Sequence, residues 1–570
     1  MRPVRLIFGV FRFLAGLGIF AIAVPVLLIQ LAGSLFLATV VGVFVYGFFR
    51  AGVLGIDAFD DPTTLLGWIG FALIFLTCWT TMVSVWAWYT GIALWFAARG
   101  DSHGSARIAS KAERRDLQTG TGLLIGRDAD TDRLLRYDGP AHLLTLAPTR
   151  AGKGVGTVIP NLLLVSRPML VIDPKGDNAR VTFEARQKLG PVHVLDPFGV
   201  TGLPAAAHNP LARLRPGSLD LGEDAASLAE ALVMDPPGQA GEAHWNDEAK
   251  ALLTGLILFA AVHETEERRT LASLREYLTL PPDKFRALLG LMQDSPGAGG
   301  LIARAANRFL GKADREAAGV LSAAQRHTHF LDSPRIAASL ARSDFGFASL
   351  RHELTTVFLV LPPNRLDAYS RWLRLLVSQA LAEIARDAET VQGASKPLEG
   401  PSGPLGAPAR PRRGAQPPAL FLLDEFAALG RLEAVERAMG LMAGYGLQLW
   451  PILQDMSQLR ALYGARAGTF VANAGVLQCF GVNDYETAKS LSQLMGQMTM
   501  GYTTTSHGSG DGSSTTHHLT GRDLLTPDEI MQLPKRTQLL HLQGRPMILA
   551  RKIRYYADPE FKGLFAPQPD

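Results

Sequence analysis

Leu143-Leu-Thr-Leu146, Ala147-Pro-Thr-Arg-Ala-Gly-Lys-Gly154 and Val155-Gly-Thr-Val-Ile-Pro-Asn-Leu-Leu163 follow one another without a break. A short β-rich run, a loop of small residues bearing one Lys, and an apolar helical run make a phosphate-binding loop in its strand-to-helix setting. Small residues let successive backbone N–H groups curl around a β-phosphate at a helix N-terminus, and one ammonium reaches the β/γ oxygens. Gly152, Lys153 and Gly154 meet that need, with Pro148, Thr149, Arg150, Ala151 and Val155 completing the expected cradle. The loop departs from the general pattern twice. Ala147 stands for the first Gly, and Gly154 stands where a Ser or Thr hydroxyl would face Mg²⁺. Thr157, one helical turn on, is the substitute hydroxyl to test.

A second stretch supports the first. Pro418-Ala-Leu-Phe-Leu-Leu-Asp-Glu-Phe426 reads as a buried strand ending in two adjacent carboxylates, the Walker B form. Asp424 is expected to hold Mg²⁺ and Glu425 to polarise an attacking water, strand alternation turning the two side chains to different tasks. Leu449-Trp-Pro-Ile-Leu-Gln-Asp455 is another apolar strand ending in a polar residue, where nucleotide motors keep a γ-phosphate sensor, so Gln454 joins the set. Each feature alone has an ordinary explanation: a glycine turn, a strand-end cap. Together they predict ATP with Mg²⁺, handled by Lys153, Asp424, Glu425 and Gln454.

Outward from these motifs, the 570 residues carry 47% hydrophobic and 19% charged residues with a mean hydropathy of +0.12, too apolar for a purely soluble chain. No charge occurs from Phe13 to Phe49 or from Pro62 to Ala98, and each run exceeds the ~20 residues that span hydrocarbon. Arg2, Arg5 and Arg12 before the first run and Arg99 and Arg107 after the second, against Asp57, Asp60 and Asp61 between them, place both ends inside. The expected anchor is residues 1–100, two long helices around a periplasmic loop at 50–61, with four crossings left open. A cleaved signal peptide would want a shorter apolar region. Net charge of +4 permits DNA without requiring it, and two cysteines exclude a disulfide framework or a Cys-based zinc site.

Beyond residue 101 the pattern is α/β. Strands are predicted at Leu143–Leu146, Met169–Ile172, Val192–Leu195, Thr356–Leu361, Leu420–Leu423, Leu447–Leu453 and Val476–Val482, with a closing pair at Gln538–Leu542 and Pro546–Tyr556. Helical spacing at 224–233, 244–263, 283–293, 300–310 and 313–329 predicts an all-α insertion. The expected division is 101–220 and 346–570 as two parts of one nucleotide-binding domain around an all-α domain at 221–345, with a flexible insert at 390–418. Thr503–His518, made of Thr, Ser, Gly, Asp and His, reads as a solvated loop, and His507, His517 and His518 lack the partners of a metal site.

These residues resemble a known family, the TraG-like type IV coupling proteins of bacterial conjugation and type IV secretion. Besides the loop and the acidic pair, the likeness runs through Val171-Ile-Asp-Pro-Lys-Gly-Asp177, Val194-Leu-Asp-Pro197, Asn209-Pro-Leu211, Phe358-Leu-Val-Leu-Pro-Pro-Asn-Arg-Leu-Asp367 and Asn483-Asp-Tyr-Glu-Thr-Ala488. It continues to Ala550-Arg-Lys-Ile-Arg-Tyr-Tyr-Ala-Asp-Pro559. Relatives commonly carry Gly after the loop Lys, and often Ser where this chain has Ala151. The resemblance implies a RecA/FtsK-like P-loop ATPase with an all-helical domain and N-terminal transmembrane helices, a homo-hexamer at the bacterial inner membrane. It implies DNA, a relaxase and inner-membrane components of the secretion channel as partners, and an Arg from a neighbouring subunit that no residue here identifies. Two other readings stay open: a nucleotide-binding receptor for secreted proteins that hydrolyses little ATP, and a chromosome-segregation translocase. The second wants a long linker and a C-terminal DNA-reading domain. An ABC exporter lacks its L-S-G-G-Q signature.

Overall fold

A computed structural model describes residues 103–234, 242–394, 417–441, 445–507 and 513–566, together with Trp79. The two apolar runs lie outside the described residues, and among the described residues no helix is long and apolar enough to cross a membrane. Most of the flexible insert also lies outside them, although the helix Leu366–Ala394 covers its first residues.

Among the described residues thirteen strands occur in chain order: β1 (Leu123–Asp128), β2 (Leu134–Tyr137), β3 (His142–Leu146), β4 (Met169–Ile172), β5 (Val192–Leu195), β6 (Thr356–Leu359), β7 (Ala419–Leu423), β8 (Leu447–Leu453), β9 (Ala474–Cys479), β10 (Gln497–His507), β11 (Ser513–Asp523), β12 (Thr537–Leu542) and β13 (Ile548–Arg551). Eleven form one sheet in the order β2-β1-β13-β12-β9-β3-β8-β7-β4-β6-β5. The seven strands from β9 to β5 are parallel, and the other four are antiparallel. The parallel strands are buried on both faces, which is why β3, β4, β7 and β8 read as continuous apolar runs rather than alternating ones. Alternation survives in which core each residue joins. Leu144, Leu170, Phe421 and Leu449 pack on one face, Leu143, Val171, Leu422 and Trp450 on the other.

Among the described residues, the crossover from β5 to its parallel neighbour β6 carries seven α-helices, from Leu221–Leu232 to Pro334–Ser339. They include Ala243–His263, nearly all of whose second half is buried. The five expected helices have boundaries within three residues of the expected ones, and Leu271–Leu278 and Pro334–Ser339 are additional.

Three expectations change. The N-terminal strands β1 and β2 were not predicted; they close the antiparallel edge, paired with each other and with β13. The closing pair is shorter than expected, since Lys552–Tyr556 lies beyond β13. The stretch 503–518 is largely a hairpin, β10 pairing with β11 from Gln497↔Asp523 to His507↔Ser513. Its Thr504↔Thr516 and Thr505↔Thr515 pairs explain the error: threonine is polar like a loop residue but β-branched like a strand residue. His518 stacks on Tyr502, ring centroids 5.1 Å apart.

Arg186, with no exposed surface, stitches the back of the sheet. Its guanidinium donates to the carbonyls of Val165 at 2.8 Å and Arg167 at 2.6 Å and to the Thr356 hydroxyl at 2.8 Å. Arg186→Met strands these acceptors, and the folded body is expected to lose ~3 kcal/mol, read as a lower denaturation midpoint.

Candidate functional site

Strand order assembles the site. β3, β8, β7 and β4 are consecutive in the sheet, and each ends in a motif: the loop 147–153 after β3, Gln454 after β8, Asp424-Glu425 after β7 and Asp173 after β4. Parallel pairing keeps those ends level, with Leu146 opposite Leu453, Leu423 opposite Pro451 and Ile172 opposite Leu423. Ligands in open parallel sheets collect outside such carboxyl ends.

The loop holds its shape through backbone contacts. The Ala147 N–H donates to the Leu453 carbonyl at 2.9 Å and that of Ala151 to the Pro148 carbonyl at 3.1 Å. Arg150 sits at φ 65 and Gly152 at φ 95, so this turn passes through left-handed space that Gly enters freely and Arg only at a cost. A Cβ built on Gly152 meets no atom within 4 Å, so the loop encloses open room. Lys153 then caps a π-helical turn, Gly154–Val158, whose start no side chain caps. That leaves a positive helix end to the site. Pro148 is half-buried and Thr149 and Arg150 are exposed, while Ala151, Gly154 and Val155 are half-buried.

Lys153 turns inward and is nearly buried. Its ammonium donates to Glu425 Oε1 at 3.0 Å and lies 3.7 Å from Asp424 Oδ1. Gln454 Nε2 donates to Glu425 Oε2 at 3.4 Å. The four residues expected to carry the chemistry therefore meet in one cluster, 272 positions of sequence separating Lys153 from Glu425. How the carboxylates reach it differs from the expectation. β7 stops at Leu423, and Glu425 takes left-handed dihedrals of φ 53 and ψ 42. That turn, not strand alternation, sends both side chains towards the lysine.

Charge balance shows what the cluster lacks. Burial raises the Asp424 pKa, with Lys153 pulling it down and Glu425 pushing it up. Asp173, almost fully buried, was quoted in a motif but given no role; burial pushes its pKa up to about 7, and Asp424 adds to the rise. Its carboxylate accepts from the Ala179 N–H at 2.8 Å and from Asn178 Nδ2 at 3.2 Å. Two carboxylates thus meet at one ammonium, with the buried Asp173 carboxyl close enough to Asp424 to feel its charge, a donor set that suits a divalent cation and a polyphosphate arriving together. The strand-end position of Asp173 beside the Walker B strand was the available signal, and it requires the sheet order to be read.

Thr157 faces Gln478. It is fully buried, and its hydroxyl donates to Gln478 Oε1 at 3.1 Å, inside a polar knot that also takes the Thr145 hydroxyl at 2.8 Å. Gln478 in turn donates to the Ile125 carbonyl and to Gln538. Thr157 braces the loop's helix against β9, its hydroxyl turned to Gln478.

The family comparison decides what kind of protein holds this site. The family model described as "Type IV secretory system Conjugative DNA transfer" matches residues 106–568. The chain belongs to that family. It is a conjugative DNA-transfer coupling protein by this membership. It is 31% identical over 521 residues to the conjugal transfer protein TraG of Escherichia coli, covering 82% of this chain and 78% of that one. It is 28% identical to protein VirD4 of Rhizobium radiobacter over 443 residues, 75% of this chain and 59% of VirD4. Among solved structures its fold is similar to the bacterial conjugative coupling protein TrwB, in unbound form with TM-score 0.58 and 19% identity over 81% of this chain and 94% of that one. TrwB in complex with ADP and Mg²⁺ aligns with TM-score 0.56 and 19% identity, covering 79% of this chain and 94% of that one.

The raised carboxyl has a sign that can be checked. Below pH ~4 Asp173 is protonated folded or unfolded and costs nothing; from there towards its folded value near 7 the native state holds the extra proton, so stability falls as pH rises. Asp173→Asn is expected to flatten that slope, melting above the parent at pH 8 and near it at pH 4.

Proposed function

We propose that this chain is a membrane-anchored coupling ATPase that passes DNA, with the relaxase protein attached, to a type IV secretion channel. The observation that supports it most is the meeting of Lys153, Asp424, Glu425 and Gln454 at the ends of adjacent strands. Family membership supplies the cargo class.

In this reading backbone N–H groups within 149–155 and the Lys153 ammonium hold the phosphates of ATP. The donor set fits ATP with Mg²⁺, and TrwB, a structural relative, was solved with ADP and Mg²⁺. Asp424 would hold the metal, whose chemistry is to neutralise charge developing on the phosphates. Gly154 brings no hydroxyl and Thr157 is committed to Gln478, so Asp424 is the one protein ligand assigned. Glu425 accepts a proton from the attacking water, and Gln454, already on Glu425 Oε2, orients that water and reads the γ-phosphate. Lys153 must leave the two carboxylates to reach the phosphates, so nucleotide entry rewires the cluster. The runs 13–49 and 62–98 anchor the chain in the inner membrane with the motor in the cytoplasm, and six copies form a ring around the transferred strand. Contacts to that strand are with its backbone and weaken with salt.

Lys153→Ala is expected to abolish ATP binding measured at equilibrium. Glu425→Gln should bind ATP normally while DNA-stimulated turnover falls at least ~100-fold, the scale of a lost general base. Binding by the parent chain without turnover, with or without DNA, overturns the motor and leaves a nucleotide-gated receptor.

A further inference from the structure

The segment after β13 belongs to none of the roles above, yet it lies against the phosphate loop. Lys552, 401 positions from Ala151, donates from Nζ to the Ala151 carbonyl at 2.8 Å. The Lys552 N–H is fixed by the Arg536 carbonyl at 2.8 Å, and the next residue, Ile553, is buried against the same region. A Cβ on Gly156 would stand 3.2 Å from the Ile553 carbonyl, so the absence of a side chain there lets this segment close on the first turn after the loop.

The ammonium is held on its other side by an aromatic face, 5.1 Å from the centre of the Phe480 ring. Phe480 itself follows β9, and its N–H donates to the Leu146 carbonyl at the end of β3. Lys552 is therefore held between the loop and the residue that follows β9. Among the described residues no carboxylate lies within ion-pair distance of Nζ. A carbonyl and a ring are its protein partners, and an ammonium has three N–H groups to place. Lys153 differs, because Asp424 and Glu425 supply its counter-charge.

Resting on the nucleotide reading of this site, we propose that Lys552 is a positioning residue of the phosphate loop, a second cation that pins the Ala151 carbonyl outward and whose missing counter-charge is the polyphosphate of bound nucleotide. The pinned carbonyl follows Arg150, the strained residue at φ 65, so the bond stabilises the turn that a non-glycine residue resists. With that carbonyl held away, the amides of the next residues are free to face an anion. Burial lowers the pKa of the Lys552 ammonium, as expected where a cation is desolvated before its anion arrives.

The test is equilibrium binding of a fluorescent ATP analogue with Mg²⁺ to the full chain in detergent, at low and high salt. Lys552→Met, which keeps the stem and removes the charge, is expected to weaken binding about tenfold, the scale of one charge-assisted hydrogen bond. Lys552→Arg should restore most of the loss, and added salt should narrow the gap between the parent and Lys552→Met because it screens the charge. A packing role predicts neither rescue by Arg nor salt dependence. If Lys552→Met fails to melt like the parent without nucleotide, Lys552→Gln carries the test: it keeps an N–H donor for Ala151 and is expected to bind weakly too. Binding by either folded, neutral variant within about twofold of the parent overturns the proposal. Lys153→Ala separates the two claims. If it binds as the parent does, the nucleotide site itself is misread; if it loses binding while Lys552→Met keeps it, only the role of Lys552 falls.

Discussion

One ammonium held between two carboxylates is the constraint on which this architecture turns. Lys153 reaches Glu425 and Asp424 from a different strand, and Asp173 stands behind them on a third. Burying several like charges is expensive unless a cation is fixed among them, and removing one partner of such a group typically costs ~3–5 kcal/mol. The fold answers by placing all of these groups at the ends of four neighbouring parallel strands, where hydrogen-bonded register leaves little freedom to drift apart. The same arrangement leaves the cluster short of positive charge, which makes it a place for a metal and a nucleotide rather than a finished ion pair.

The turns that deliver the acids share a form. Asp173-Pro-Lys-Gly176 after β4 and Asp196-Pro-Phe-Gly199 after β5 each put a carboxylate at a strand end and a left-handed Gly three residues on, at φ 69 and φ 67. In each, the Asp accepts from a backbone N–H of the next segment, Ala179 at 2.8 Å and Thr201 at 2.7 Å. A carboxylate that stops a strand and starts the next element is a structural device; beside β7 it also becomes part of the electrostatics of the site. The helical insertion occupies the crossover between β5 and β6, far along the sheet from β3. It lengthens one connection and leaves the strand order around the loop undisturbed.

Much of this was legible in the sequence because apolar runs buried on both faces are hard to mistake. All seven strands expected for the parallel part exist, and five expected helices of the insertion exist near their expected limits. The loop, the acidic pair and Gln454 were legible as types of residue at strand ends. Their meeting was not, since it depends on β8 and β7 lying beside β3, a fact of pairing and not of local pattern. The departures have similar causes. Thr157 looked available one turn beyond Lys153, but helical spacing does not say which way a hydroxyl faces, and it faces Gln478. Thr503–His518 looked like a loop because polarity outweighed β-branching. Glu425 owes its direction to a left-handed backbone that no residue type announced. Lys552 was visible only as one basic residue in a motif, its contact with Ala151 being set by the antiparallel edge that brings the chain's end back under the loop.

On nucleotide entry the Lys153 ammonium is expected to exchange carboxylates for phosphates. The most direct measurement is an experimental structure of the full chain with a non-hydrolysable ATP analogue and Mg²⁺. Phosphates enclosed by residues 148–155, Lys153 released from its 3.0 Å bond to Glu425, and Asp424 turned to the metal are the expected result. Nucleotide bound elsewhere, with Lys153 still on Glu425, would contradict it.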